Sequence, residues 1–187
     1  MPKFEHARSS GQTSPTKPTI RIENTPCQQL LQSLEDKTID LVLTDPPYVI
    51  SRETGFSSVV DGESRFAMSM DFGAWDHEFT VGDLDTSVKA FYRVLRQGGV
   101  CIIWFDLWKL SILRDIMANA GFKQIRFIEW VKTNPVPINS SRNYLTNSRE
   151  IAVLGVKGSN STFNATYHNG IFRHPISHCL QSVLARC

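Results

Sequence analysis

The chain has 187 residues, 41% of them apolar, which is enough for one hydrophobic core and short of two. A charged fraction of 20% with both signs present excludes wholesale disorder, and no apolar run reaches the roughly 18 residues of a membrane span. The net charge of +2 hides a gradient: residues 21–120 carry nine basic and fifteen acidic side chains, whereas residues 121–187 carry eight basic and two acidic.

Residues 1–19 mix Ser, Thr, Pro and Gly without periodicity and read as a flexible tail. They lack the apolar core of a secretory signal, so the expected location is the cytoplasm, with its cysteines reduced. The four cysteines form no CxxC pair. Thr19 to Glu23 alternates apolar and polar like a short strand, and Asn24-Thr25-Pro26 then offers a cap to a helix carrying Leu30, Leu31 and Leu34. Ile39 to Thr44 is a β-branched and leucine run of the kind found in strands covered on both faces, and it stops at Pro46-Pro47. Residues 49–83 have little periodicity and many glycines and aromatics; a loop of that length usually serves function or motion.

A helix is expected over Asp85–Gln97, ended by Gly98-Gly99. Val100 to Phe105 reads as a second buried strand and residues 107–119 as a helix closed by Gly121. Gln124 to Val131 reads as a third strand and Glu150 to Val156 as a fourth. This alternation predicts an α/β class with an open, mostly parallel sheet and with ligand groups at the carboxyl ends of its strands. The expected organisation is a tail over 1–19, a catalytic region over 20–157 and an irregular tail over 158–187.

Thr44-Asp45-Pro46-Pro47-Tyr48 stands where such sheets place reacting groups. The two prolines could simply end the strand, with Asp45 capping a turn and Tyr48 packing on the sheet edge. The buried strand before them and the aromatic-rich loop after them favour chemistry. With its D-P-P-Y box so placed, the chain resembles the amino-methylating DNA methyltransferases. The likeness extends to Ile22–Asn24 with Cys27 and Leu31, to Asp71–Asp76, to Arg96-Gln97-Gly98-Gly99, to Trp130–Pro135 and to Asn147–Glu150. It implies an S-adenosylmethionine-dependent methyltransferase fold, with the methyl donor as cofactor and Asp45 and Asn24 on its side of the site.

The same resemblance implies that Asp45, Pro46, Pro47 and Tyr48 form the catalytic box. Acceptors aimed at the two hydrogens of an exocyclic amine make its conjugated lone pair available and stabilise positive charge as the methyl arrives. Two prolines hold the acceptors in place, and Tyr48 can stack on a base that has left its duplex. Aspartate at the first box position implies adenine N6 as target, with cytosine N4 as the alternative. Double-stranded DNA is the expected partner, in the setting of restriction–modification. Lys132, Arg142, Asn143, Tyr144 and Arg149 lie in the basic third, where they can reach phosphates and base edges or belong to a solvated loop.

His174, His178 and Cys179 lack a fourth ligand, and no metal is expected. Trp104, Phe105, Trp108 and Trp130 are expected in sheet packing, and Phe56, Phe72 and Trp75 near a flipped base. The family's subgroup with an early D-P-P-Y box later supplies H-P-T-x-K-P and a glycine-rich F-x-G-x-G turn for the cofactor. Arg173-His174-Pro175 only begins the first, and the second is absent after residue 158. The sequence is therefore read as a catalytic half ended early by a frameshift or stop. Two readings stay open: an enzyme working alone or with a second polypeptide that supplies the cofactor-binding half, and a remnant that binds DNA and catalyses nothing.

Overall fold

The computed structural model describes residues 19–48, 57–60, 63–67, 79–135, 146–165 and 167–176. In chain order they form α1 (Cys27–Ser33), β1 (Ile39–Thr44), β2 (Ser57–Val60), β3 (Glu63–Ala67), α2 (Val81–Val94) and β4 (Leu95–Phe105). A 3₁₀ turn (Leu107–Lys109) leads into α3 (Leu110–Ala120), followed by β5 (Lys123–Lys132), β6 (Arg149–Val156) and β7 (Ile171–His174). β2 and β3 pair as an antiparallel hairpin.

The main sheet has the order β1-β4-β6-β5-β7. β1 runs parallel to β4, and β5 parallel to β7, while β6 is antiparallel to both β4 and β5. Four of the five strands therefore point the same way, with β6 reversed between them, so the open, mostly parallel α/β sheet is the architecture found. The carboxyl ends of β1, β4 and β5 and the start of β6 all meet at one edge of the sheet.

Apolar runs that read as buried strands in the sequence are buried on one face only. Cys101, Ile103 and Phe105 of β4 and Val153 of β6 join Leu84, Val88, Phe91 and Val94 of α2 and Leu113, Ile116 and Met117 of α3 in a single core. Burial pushes the Cys101 thiol up to about 12, so it behaves as a small hydrophobe rather than a nucleophile. The positions that alternate with these along the strands, Ile102, Trp104 and Ile128, lie on the far side of the sheet.

Several boundaries differ from expectation, each for a physical reason. α2 starts four residues earlier because Thr80 and Asp83 form a reciprocal capping box: the Asp83 N–H donates to Thr80 Oγ1 at 3.2 Å and the Thr80 N–H to Asp83 Oδ2 at 2.9 Å. Those bonds hold the Asp83 carboxyl below its ordinary value. α2 also ends earlier, at Val94, and Gly98-Gly99 are strand residues rather than a helix cap. Gly98 has φ +77°, and a Cβ there would stand 2.8 Å from the Asn160 carbonyl oxygen, so glycine is required by a close approach inside β4. Gly121, in the left-handed region at φ +105°, does end α3 as expected.

Thr19–Glu23 is not a strand; Ile20 and Ile22 are exposed, and no neighbour pairs with them among the described residues. The segment expected to be irregular beyond residue 158 contributes β7. That strand is secured by Asn134, whose side-chain amide both accepts from the Ile176 N–H at 2.5 Å and donates to the Ile176 carbonyl at 3.1 Å, copying one further rung of a ladder. Among the described residues no helix is long and apolar enough to cross a membrane.

Among the described residues Lys157 is the buried charged side chain, 5% exposed. Its ammonium donates to the carbonyls of Tyr92 at 2.6 Å and Arg93 at 3.3 Å and lies 4.7 Å from the centre of the Tyr92 ring. It thereby satisfies carbonyls that the last turn of α2 leaves without intrahelical donors and ties that helix to the end of β6. Lys157→Met keeps the packing of the stem and removes the donors, so a loss of about 1–3 kcal/mol is expected in urea unfolding.

Candidate active site

The site forms because two parallel strands end side by side. β1 leaves the sheet at Thr44, level with Ile103 of β4, and the box Asp45–Tyr48 follows immediately. Proline at 46 and 47 forbids continuation of the ladder and fixes φ at both positions, so the chain turns across the sheet edge toward the end of β4. There the Tyr48 ring meets Phe105 edge-on, with centroids 5.9 Å apart. Phe105 is buried and anchors the box from below.

Asp45 is exposed and carries its carboxylate at the rim. The half-buried Tyr48 hydroxyl is hydrogen-bonded to it. Burial first, then that bond and the negative charges of Asp45, Glu150 and Asp106, push the Tyr48 phenol well above its ordinary value. Tyr48 is thus a neutral donor throughout the neutral range. The sign for stability follows: between the unfolded value near 10 and the raised folded value, the native state holds a proton that the unfolded chain has lost, so stability falls as pH rises above about 10. Tyr48→Phe is expected to flatten that alkaline decline, checked by urea unfolding across pH 8 to 11, and to remove the latest phenolate step in absorbance.

Two residues beside the box were missed in the sequence. Asp106 follows β4 as Asp45 follows β1, and its carboxylate accepts from the Trp108 N–H at 3.0 Å to shape the 3₁₀ turn. Lys109 on that turn donates to the Tyr48 carbonyl oxygen at 3.4 Å. The signal was available: a polar residue directly after a buried apolar strand is the rule that singled out Asp45, and it applies equally to Asp106. Trp108 itself does not pack on the sheet. At 88% exposed it projects from the rim beside the box, whereas Phe105 is in the core as expected.

The basic candidates are placed unevenly. Lys132, at the end of β5, pairs with Glu150 at the start of β6 and lies 5.5 Å from the centre of the Trp130 ring; its side chain is only 14% exposed. Arg149 pairs with Glu129 at 3.2 Å and keeps 66% of its side chain exposed. Both pairs join diagonal neighbours across the β5–β6 ladder, with Glu150 opposite Trp130 and Arg149 opposite Val131. Arg142, Asn143 and Tyr144 lie outside the described residues, as do Phe56, Phe72 and Trp75. Asn24 is exposed in the segment before α1 and forms no hydrogen bond with the box among the described residues.

A DNA methylase family model matches residues 39–173, from the first residue of β1 to within β7. The chain belongs to that family. The chain is 28% identical over 145 residues to the type II methyltransferase M2.LlaDCHI of Lactococcus lactis subsp. cremoris, covering 75% of this chain and 51% of that protein. It is 30% identical over 130 residues to M2.DpnII of Streptococcus pneumoniae, covering 65% and 45%. Among solved structures, the M1.HpyAVI–SAM complex superposes with a TM-score of 0.54 at 20% identity, covering 84% of this chain and 66% of that one. The chain thus spans about half the length of these curated relatives. The family and its fold agree with the resemblance read from the D-P-P-Y box and its flanking segments.

Proposed function

We propose that this chain is the methyl-acceptor half of a DNA methyltransferase that acts on adenine N6 in double-stranded DNA. The observation that carries the reading is the D-P-P-Y box itself. An exposed Asp45 carboxylate and a tethered Tyr48 follow a strand end inside the segment that the family model matches, beside the parallel end of β4. Aspartate at the head of the box favours adenine N6. The names of the curated relatives support a place in type II restriction–modification, and DNA as substrate puts the reaction in the cytoplasm.

In this reading Asp45 and the Pro46 carbonyl accept the two amino hydrogens of the flipped base. They draw its nitrogen toward a tetrahedral, nucleophilic form and stabilise the positive charge that grows there. The amine lone pair would form the new N–C bond as the methyl–sulfur bond breaks, its electron pair staying on sulfur as a neutral thioether, and the surplus amine proton would leave afterwards to Asp45 or water. Tyr48 supplies a face for the base. Arg149 is the exposed cation among the described DNA-contact candidates, sharing its charge between Glu129 and a phosphate. Lys132 braces the sheet end through Glu150, and Arg142, Asn143 and Tyr144 complete the proposed DNA-facing set.

S-adenosylmethionine supplies an activated methyl group when bound. The fit of these residues to it is partial: Asp45 and Asn24 offer polar groups on the acceptor side, but no glycine-rich turn joins a strand to a helix among the described residues. The positive-φ glycines serve elsewhere, Gly98 inside β4, Gly121 at the end of α3, and Gly158 and Gly170 in turns around β6 and β7. Beside the active reading, in which the chain works alone or with a second polypeptide that supplies the cofactor-binding half, stands a second one, a DNA-binding remnant without activity. Incorporation of tritiated methyl into DNA, with and without such a polypeptide, decides between them. Incorporation that depends on Asp45 supports the enzyme, and none at any concentration supports the remnant.

A further inference from the structure

The far end of the box is held by a residue outside it. Proline at 46 and 47 removes two backbone N–H groups, so the stretch from Asp45 to Tyr48 has few donors of its own with which to fasten to the sheet. Two contacts from the β4 side meet it at Tyr48 instead. The ring packs edge-on against Phe105 with centroids 5.9 Å apart, and the carbonyl oxygen accepts from the Lys109 ammonium at 3.4 Å.

Lys109 stands on a firm base. Its N–H closes the 3₁₀ turn by donating to the Asp106 carbonyl at 3.0 Å, while the Asp106 carboxylate accepts from the Trp108 N–H at 3.0 Å. The turn runs straight into α3, whose Leu113, Ile116 and Met117 lie in the core. The bond to Tyr48 therefore ties the box to a core helix rather than to another loop, the kind of support that holds reacting groups within about 0.5 Å of their working geometry. A charged donor also suits this rim: the negative charges of Asp45, Glu150 and Asp106 all act on Tyr48, and charge-assisted bonds are the stronger ones.

We infer that Lys109 is a positioning residue for methyl transfer: by holding the Tyr48 carbonyl it fixes the far end of the box beside the end of β4, so that Asp45 and the Pro46 carbonyl stay aimed at the amine as the base moves in. Lys109 acts through Tyr48 and touches no reacting atom. The inference rests on the acceptor-half reading and adds to it the group that steadies the box from the β4 side.

The test compares the full chain as wild type, Lys109→Met and Lys109→Arg, each alone and with the part of M2.LlaDCHI outside its matched segment supplied as a separate polypeptide. Tyr48-Val49 is the one Tyr-Val step in the sequence, so carbonyl-¹³C tyrosine combined with ¹⁵N valine gives a single cross-peak that reports the Tyr48 carbonyl. Lys109→Met keeps the apolar stem and removes the donor. It is expected to move that carbonyl signal upfield, the direction of a lost hydrogen bond, and to lower single-turnover methyl incorporation at saturating DNA by about ten- to a hundredfold. Affinity for a labelled duplex stays within about threefold of wild type, because the ammonium is spent on the carbonyl rather than on a phosphate. Lys109→Arg restores a charged donor and recovers most of both the signal and the rate. Far-ultraviolet circular dichroism shows that both variants fold. An unmoved carbonyl signal in Lys109→Met, or a moved one with an unchanged rate, overturns the inference and leaves the acceptor-half reading standing. Rate and duplex affinity lost together also overturn it and make Lys109 a phosphate contact. No incorporation by the wild type in either setting overturns the acceptor-half reading, and the positioning role with it.

Discussion

If the proposed function holds, replacing Asp45 with alanine is expected to lower methyl transfer by about 10²- to 10³-fold, the loss typical of removing one preorganised group that stabilises charge in a transition state. The carboxylate is exposed and follows the end of β1, so its removal opens no cavity in the core and costs stability only through the lost hydrogen bond to Tyr48, about 0.5–1.5 kcal/mol. Single-turnover incorporation of tritiated methyl, with the second polypeptide present, measures the rate, and fluorescence anisotropy with a labelled duplex measures affinity. Asp45→Ala changes the first and leaves the second within about threefold, because the phosphate contacts that dominate affinity come from elsewhere. A variant with full rate removes Asp45 from the chemistry. A variant that loses rate and binding together makes it a DNA contact instead.

Phe91→Ala is expected to be the most destabilising of the simple substitutions, by about 3–5 kcal/mol. The side chain is 6% exposed on α2 and belongs to the core that α2 and α3 share with β4 and β6, so truncation leaves a void that rigid neighbours close only in part. Leu43→Ala removes apolar atoms from the other face of the same sheet, where 61% of the residue already meets solvent, and costs less than about 1 kcal/mol in the isolated chain. Urea unfolding of the two variants compares the faces directly. A large loss at Leu43 in the isolated chain shows that the face is already covered.

The strands that form the middle of the sheet were legible because their apolar runs are local signals: Ile39–Thr44, Val100–Phe105, Gln124–Val131 and Glu150–Val156 all fall within observed strands. That Asp45–Tyr48 follows the end of β1 was legible for the same reason, since a strand end is visible wherever an apolar run meets proline. What was misread depended on distant partners. Leu95–Gln97 look helical by periodicity but are taken by pairing of Leu95 with Ile39, which carries β4 back through Gly98 and Gly99.

β7 has no pattern of its own and exists because β5 offers it an edge. Thr19–Glu23 has the strand pattern and finds no edge among the described residues. Similarly, composition showed Lys132 and Arg149 as part of a basic stretch, but only the β5–β6 register reveals that Glu150 and Glu129 lie within reach of them. Two of the expected DNA-facing cations are therefore partly neutralised before any phosphate arrives.

The contrast between the two outer strands also sets how far association can proceed. A sheet that is adhesive at both ends adds subunits head to tail and grows into fibres, because the contact never closes. Here β7 ends in Arg173 and His174, and the side chain of Asn134 already occupies the backbone of Ile176 just beyond it. Among the described strands of the main sheet β1 is the receptive outer one, so pairing through this sheet is blunted at its other end.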